Sequence, residues 1–214
     1  MRVRDHDVTA RLPGRQGRLL LAYLTLNRGR ACPRGELIDV LWPDGPPAAA
    51  DTALSALLSK LRRALGAGAL SGRSELQLTP DGPTWVDVEH AAAAARQAEA
   101  ALHDGDWSDA SAAARDALAV CGGEFLPGCD GPWLYEQRWT LDALRVRAYE
   151  GLAEAALRSG APAEAAEAAR AAAALAPFRE SAHRLLMEAH EAAGNPAEAL
   201  RAFEDLRRLL REEL

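Results

Sequence analysis

Apolar positions in the first 90 residues fall into short blocks separated by turn-forming clusters. "RQGRLLLAYLTLN" (15–27) predicts an amphipathic helix. "NRGR" breaks it, and Pro33 suits the first turn of a second helix, "PRGELIDVLW". "PDGPP" (43–47) is a loop, and a third helix covers about 49–65, where Leu54, Leu58, Leu61 and Leu65 recur at steps of four, three and four. "ELQLTP", "DGP" and "TWVDVE" then alternate around a turn and predict a hairpin over 75–88, one that contains no Arg or Lys. Before Arg15, "RVRDHDVTARL" predicts a further hairpin turning at Asp5–Asp7. Three helices followed by a hairpin is the plan of a winged helix-turn-helix.

The pattern changes in the back half. Val88, Ala91, Ala95, Ala98 and Leu102 fall at helical steps, as do Trp107, Ala110, Ala114, Ala117 and Cys121. "GAPAEAA" begins at Gly160 and "GNPAEAL" at Gly194, 34 residues later. Five, nine and twelve residues after Gly160 stand Ala165, Ala169 and Ala172; after Gly194, Ala199, Phe203 and Leu206; after Gly105, Ala110, Ala114 and Ala117. A 34-residue period of turn glycine, small residue and apolar positions is similar to a tetratricopeptide repeat. The glycine ends one helix, and small side chains let its partner approach closely. The 55-residue gap from Gly105 to Gly160 holds an insertion, "GGEFLPGCDGPWLYEQRW", a Gly/Pro-rich loop running into a long helix. The competing explanation is a generic helical bundle. The expected fold is therefore mostly α, with a winged helix-turn-helix and short hairpins at 1–88 and an all-α tetratricopeptide-like domain at 89–214.

Charge sharpens that division. The net charge is −6, yet residues 1–84 carry 12 Arg/Lys against 8 Asp/Glu, while residues 85–214 carry 13 against 23. A basic front joined to an acidic back is a two-module pattern. The chain's only lysine, Lys60, sits with Arg62 and Arg63 at the end of the third helix. Opposite the leucine stripe lie Thr52, Ala56, Ser59, Lys60 and Arg63, with Ser55 and Arg62 on the shoulders. A helix entering a major groove needs small or hydrogen-bonding residues near the bases and basic ones toward phosphate. The alternative is a solvated face whose charges meet i,i+4 partners and water.

Catalysis has little to stand on. No G-x-x-x-x-G-K-[ST], G-x-S-x-G or H-E-x-x-H occurs. Glu89, His90 and Glu124 read as surface residues. No catalytic residue, cofactor or metal site is expected: the five histidines are scattered, and His183 and His190 share a helix face without a ligand set beside them. Cys32, Cys121 and Cys129 read as inert thiols, with a Cys121–Cys129 disulfide as the alternative. "MRVRDHDVTA" lacks the apolar core of a signal peptide, and no stretch approaches the length of a membrane span, so a cytoplasmic protein is expected.

"LLLAYLTLNRGRACPRGELIDVLWPDGPPAAADTALSALLSKLRRALG" resembles the DNA-binding domain of the actinobacterial SARP-type activators (Streptomyces antibiotic regulatory proteins). "PWLYEQRWTLDALRVRAYEGLAEAAL" and "PFRESAHRLLMEAHEAAGNPAEALRAFEDLRRLLREEL" resemble the bacterial transcriptional activator domain that follows it in that family. The resemblance implies an OmpR-like winged helix that binds double-stranded promoter DNA, usually as paired subunits on direct repeats, and contact with RNA polymerase in transcriptional activation. It implies that Thr52, Ser55, Ser59, Lys60, Arg62 and Arg63 face DNA, with Arg15, Arg18, Arg28, Arg30 and Arg34 as further phosphate candidates. The helical repeats would serve dimerisation, polymerase or effector contact. The competing function is a protein-interaction module of a larger signalling regulator whose winged helix has largely lost DNA binding.

Overall fold

The leucine blocks of the front half fold, in the computed structural model, around one core. The structure describes residues 2–3, 6–7, 12, 14–66, 68–80, 82 and 84–213. Strands β1 (Arg2–Val3) and β2 (His6–Asp7) pair antiparallel, with Arg2 opposite Asp7 and Val3 opposite His6. The expected first hairpin is present, but His6 and Asp7 are strand rather than turn; residues 4, 5 and 8–11 of that expectation lie outside the described residues.

Helix α1 (Gly14–Leu26) is followed by strand β3 (Cys32–Pro33), α2 (Arg34–Leu41), α3 (Ala50–Leu65), β4 (Leu70–Ser71) and β5 (Glu75–Leu78). Pro33 is thus a strand residue that caps α2 rather than part of its first turn. In α3 the expected stripe is buried, joined by Leu57. Leu20, Leu24, Leu37, Leu54, Leu58, Leu61 and Leu76 are all less than 2% exposed. Full burial of each is worth about 1.5–3 kcal/mol against the unfolded chain, an upper estimate.

The wing hairpin is not where alternation alone put it. The three-stranded antiparallel sheet runs β3-β5-β4, with Cys32 opposite Leu76 and Leu70 opposite Leu78. The arm facing "ELQL" is therefore Leu70–Ser71, and the turn is Gly72–Ser74. The expected strand at 84–88 is absent: Val86 is the extended N-cap of the next helix, whose acidic first turn (Asp87, Glu89) suits a helix N-terminus. Gly72 is held at φ 86°, and an added Cβ would lie 1.8 Å from the Glu75 carbonyl oxygen. Gly72→Ala is therefore expected to lower stability by roughly 1–3 kcal/mol and loosen this turn, read by urea denaturation and amide exchange at β4 and β5.

The remaining helices are α4 (Asp87–Asp104), α5 (Trp107–Cys121), α6 (Pro132–Arg158), α7 (Pro162–Leu175), α8 (Glu180–Ala192) and α9 (Pro196–Glu213). They form three helix–glycine–helix repetitions. Gly105, Gly160 and Gly194 end α4, α6 and α8 at φ 81°, 74° and 73°, a region open to glycine at little cost. Ala110, Ala114, Ala117, Ala165, Ala169 and Ala172 are all fully buried, as the period requires. The third repetition departs from it: Ala199 and Leu206 are half-buried, and Phe203 is 47% exposed.

Two compact units interleave along the sequence. The first comprises residues 1–84 and 124–138, the second 85–123 and 139–214. A boundary at 88/89 makes no provision for the insertion, which contributes to the first core: Cys129 and Leu134 are buried with Leu19, Leu20 and Tyr23, and Phe125 and Trp133 pack against them. The second core is dominated by alanine, with Leu152, Leu185 and Leu186 as its larger members. Among the described residues no helix is long and apolar enough to cross a membrane.

Candidate nucleic-acid interface

Helix α3 presents a polar outer face because its buried stripe occupies the other side. Thr52, Ser55, Ala56, Ser59, Lys60 and Arg63 are exposed, within three turns of one helix. Lys60 and Arg63 make no hydrogen bond or ion pair among the described residues, so their charges are available to an external anion. Arg62 and Arg63 also lie in the last turn, where cations complement the helix dipole.

Arg62 is placed differently from its neighbours. It is half-buried, and its guanidinium donates to the carbonyl oxygens of Leu70 (3.4 Å) and Gly72 (2.8 Å). The end of α3 therefore holds the wing turn. That turn carries Arg73, which is exposed and has no partner among the described residues. Arg73 was missed because the hairpin was expected at 75–88; the turn-forming run "SGRS" before "ELQL" is the signal that marks it.

Arg34, at the start of α2, reaches across to α3. It donates to the Asp51 carboxylate (3.1 Å), the Asp51 carbonyl oxygen (2.9 Å) and the Ser55 hydroxyl (2.9 Å). Ser55 thereby accepts from Arg34 while keeping its own proton free to donate outward. Arg34 orients this face, and Asp51 offsets part of its charge.

The other basic candidates have structural partners, with one exception. Arg15 donates to the Gly128 carbonyl oxygen (2.9 Å), and Arg28 to that of Thr25 (3.0 Å). Arg30 is locked to Glu36, through one bond of 2.9 Å and a second, shorter one, and it also donates to the Tyr23 hydroxyl (3.2 Å). Arg18 is half-buried on α1 without a hydrogen bond or ion pair among the described residues.

The Arg30–Glu36–Tyr23 cluster is a stability device with a pH signature. Hydrogen bonding from Arg30 holds the Glu36 carboxyl below its usual range. Burial, then the hydrogen bond to Glu36, pushes the Tyr23 hydroxyl up to about 12. A depressed carboxyl contributes stability that is present above its unfolded-state value of about 4.3 and is lost as pH falls through the lower folded-state value. Glu36→Gln is expected to flatten the acid limb of the stability profile below about pH 4, measured by urea unfolding across the acid range, with a smaller change in shape near neutrality.

Among the described residues no group of three or more His, Cys, Asp or Glu is placed to hold a metal ion. Burial pushes the Cys32 and Cys121 thiols up, which keeps them protonated and unreactive.

Comparison with known proteins adds to this geometry. Residues 86–214 match the family model "Bacterial transcriptional activator domain", and residues 11–76 match "Transcriptional regulatory protein, C terminal". The chain is 39% identical over 202 residues to regulatory protein AfsR of Streptomyces coelicolor, covering 93% of this chain and 20% of that protein. It therefore spans about a fifth of the length of that relative. It is 30% identical over 225 residues to regulatory protein DnrI of Streptomyces peucetius, covering 99% of this chain and 83% of that one. Among solved structures, Mycobacterium tuberculosis EmbR in complex with a low affinity phosphopeptide aligns with a TM-score of 0.83 at 24% identity, over 94% of this chain and 54% of the other. That likeness concerns the fold: a winged helix followed by a helical domain.

Proposed function

The chain belongs to the SARP-type transcriptional regulators, an OmpR-like winged helix joined to a bacterial transcriptional activator domain, and from that premise we propose that its α3 reads promoter DNA in the major groove. The observation that carries the proposal is the outer face of α3: hydroxyl and small side chains along three turns, ending in two cations that have no protein partner among the described residues. Thr52, Ser55 and Ser59 are assigned to base edges or nearby sugar–phosphate, and Lys60 and Arg63 to phosphates. Arg34 positions Ser55, and Arg62 positions the wing. Arg73 at the wing tip is assigned to the minor groove or its flanking phosphates, with Arg18 as a further phosphate contact.

The DNA-binding domain is assigned to 1–88, with residues 124–138 completing its core, and the activator domain to the rest of 89–214, the latter serving dimerisation and contact with RNA polymerase. Short hydroxyl side chains and Ala56 supply few base contacts per copy. Specificity therefore depends on two copies on repeated half-sites rather than on one rich interface.

Salt dependence tests the reading. Each phosphate neutralised adds about −0.9 to the slope of log K against log salt. Fluorescence-anisotropy titrations of mixed duplex DNA at several salt concentrations should give a steep negative slope. A folded chain that fails to bind at low salt sinks the proposal and favours a protein-interaction role.

A further inference from the structure

The outer face of α3 is short of long side chains where bases would be read. Up to Ser59 the helix exposes Asp51, Thr52, Ser55, Ala56 and Ser59, with no Arg, Lys, Asn or Gln among them. Guanine is most often read by paired hydrogen bonds from Arg or Lys, and adenine by a pair from Asn or Gln. It is the N-terminal residues of a recognition helix that meet base edges. Lys60 and Arg63 follow only toward the C-terminal end.

Two of the exposed residues are already engaged. A carboxylate can accept from the cytosine amino group, but Arg34 holds that of Asp51 at 3.1 Å. Arg34 also donates to the Ser55 hydroxyl at 2.9 Å. Thr52, Ala56 and Ser59 remain, and neither hydroxyl has a partner among the described residues. Thr52 and Ala56 are four apart on one helix face, so their Cβ atoms lie about 5–6 Å from each other. Both present a methyl group, and the apolar group that answers a methyl in the major groove is the 5-methyl of thymine. Short side chains also let the helix come close enough for those methyl groups to touch, which dispersion requires.

We propose that Thr52 and Ala56 are the specificity-determining residues of α3 and that they select thymine through its 5-methyl group. The inference rests on the reading that α3 enters the major groove, and it names the base chemistry recognised there. The hydroxyls of Thr52 and Ser59 both donate and accept, so they tolerate more than one base. The methyl contact does not: cytosine, guanine and adenine offer no apolar group in its place.

This division of labour separates affinity from selectivity. Lys60 and Arg63 supply a salt-dependent attraction that is the same for every sequence. A helix that only tracked the backbone would keep that attraction and gain nothing from a base methyl group. Removing the methyl from the DNA, with its charge and hydrogen-bonding groups left intact, therefore isolates the proposed contact.

The probe is a duplex selected by the whole chain from a random-sequence library, with its thymines replaced one at a time by deoxyuridine. Wild type should lose roughly threefold to tenfold in affinity at the contacted thymines, the worth of one buried methyl group, and nothing at the others. At those positions a 5-methylcytosine–guanine pair should bind better than a cytosine–guanine pair. Thr52→Ser keeps the hydroxyl and removes the methyl, so it should bind thymine and deoxyuridine alike at one position with an unchanged salt slope. Ala56→Gly should do the same at another, with its helix content checked by circular dichroism. Deoxyuridine without effect at every thymine, or losses that persist undiminished in Thr52→Ser and in a folded Ala56→Gly, would overturn the inference. If binding then still shows a steep salt slope, the DNA reading stands without it; a folded chain that binds no duplex at low salt removes both.

Discussion

Replacing Lys60 and Arg63 together by alanine should lower affinity for duplex DNA by roughly 10- to 100-fold at moderate salt and reduce the salt slope by about two units. The melting temperature should change little, because neither side chain has a partner in the folded chain among the described residues and only the favourable place of Arg63 at the C-terminal end of α3 is lost. Arg62→Ala should behave differently. Its guanidinium holds the carbonyl oxygens of Leu70 and Gly72, so its loss frees the wing turn and leaves two acceptors to water. Affinity should then fall together with stability, the latter by about 0.5–1.5 kcal/mol per hydrogen bond lost. Anisotropy titrations and thermal melts on the two variants separate a cation that meets phosphate from one that positions the wing.

The second large effect lies far from α3 in sequence. Leu134 is 1% exposed and lies in the core formed by Leu19, Leu20, Leu37 and Leu41, 93 to 115 residues upstream. Leu134→Ala should therefore destabilise the winged-helix unit by about 2–5 kcal/mol, the range for a buried leucine cut to alanine. The neighbouring Trp133 packs edge-to-face on Tyr23 with ring centroids 5.0 Å apart, and on Phe125 at 5.9 Å. Arg15 and the Gly128 carbonyl close the same contact, as does the Cys129 thiol on the Arg15 carbonyl oxygen at 3.8 Å. A fragment spanning 1–88 lacks all of these. It should unfold at lower urea concentration than the same unit does in the whole chain, and Leu134→Ala should move the whole chain toward the fragment's midpoint.

What could be read in advance follows from the range of the interactions involved. The α3 stripe needed only residues three and four apart, so Leu54, Leu58, Leu61 and Leu65 identified both the buried side and the outer face. The turn glycines were equally legible, since a left-handed residue between two helices favours glycine at 105, 160 and 194. The wing was displaced because "TWVDVE" alternates like a strand, while Asp87 and Glu89 stabilise a helix start and Leu70–Ser71 supplies the actual partner of β5. Arg73 was hidden with it. That Arg30 and Arg34 are tied to Glu36 and Asp51 became visible only once side chains 6 to 17 residues apart were brought together in space. The role of residues 124–138 had no local signature at all. It depends on contacts such as Arg15 with Gly128, 113 positions apart, which no periodicity encodes.

The central claim is that the outer face of α3 and the wing tip meet DNA. Its most direct test is an amide chemical-shift titration of the isotope-labelled 22.8 kDa chain with duplex DNA. Perturbations concentrated at Thr52, Ser55, Ser59, Lys60 and Arg63, with a second group at Gly72–Ser74, are the predicted result. Saturable binding whose shifts bypass α3 and fall instead on α1 or on the helical repeats would contradict it.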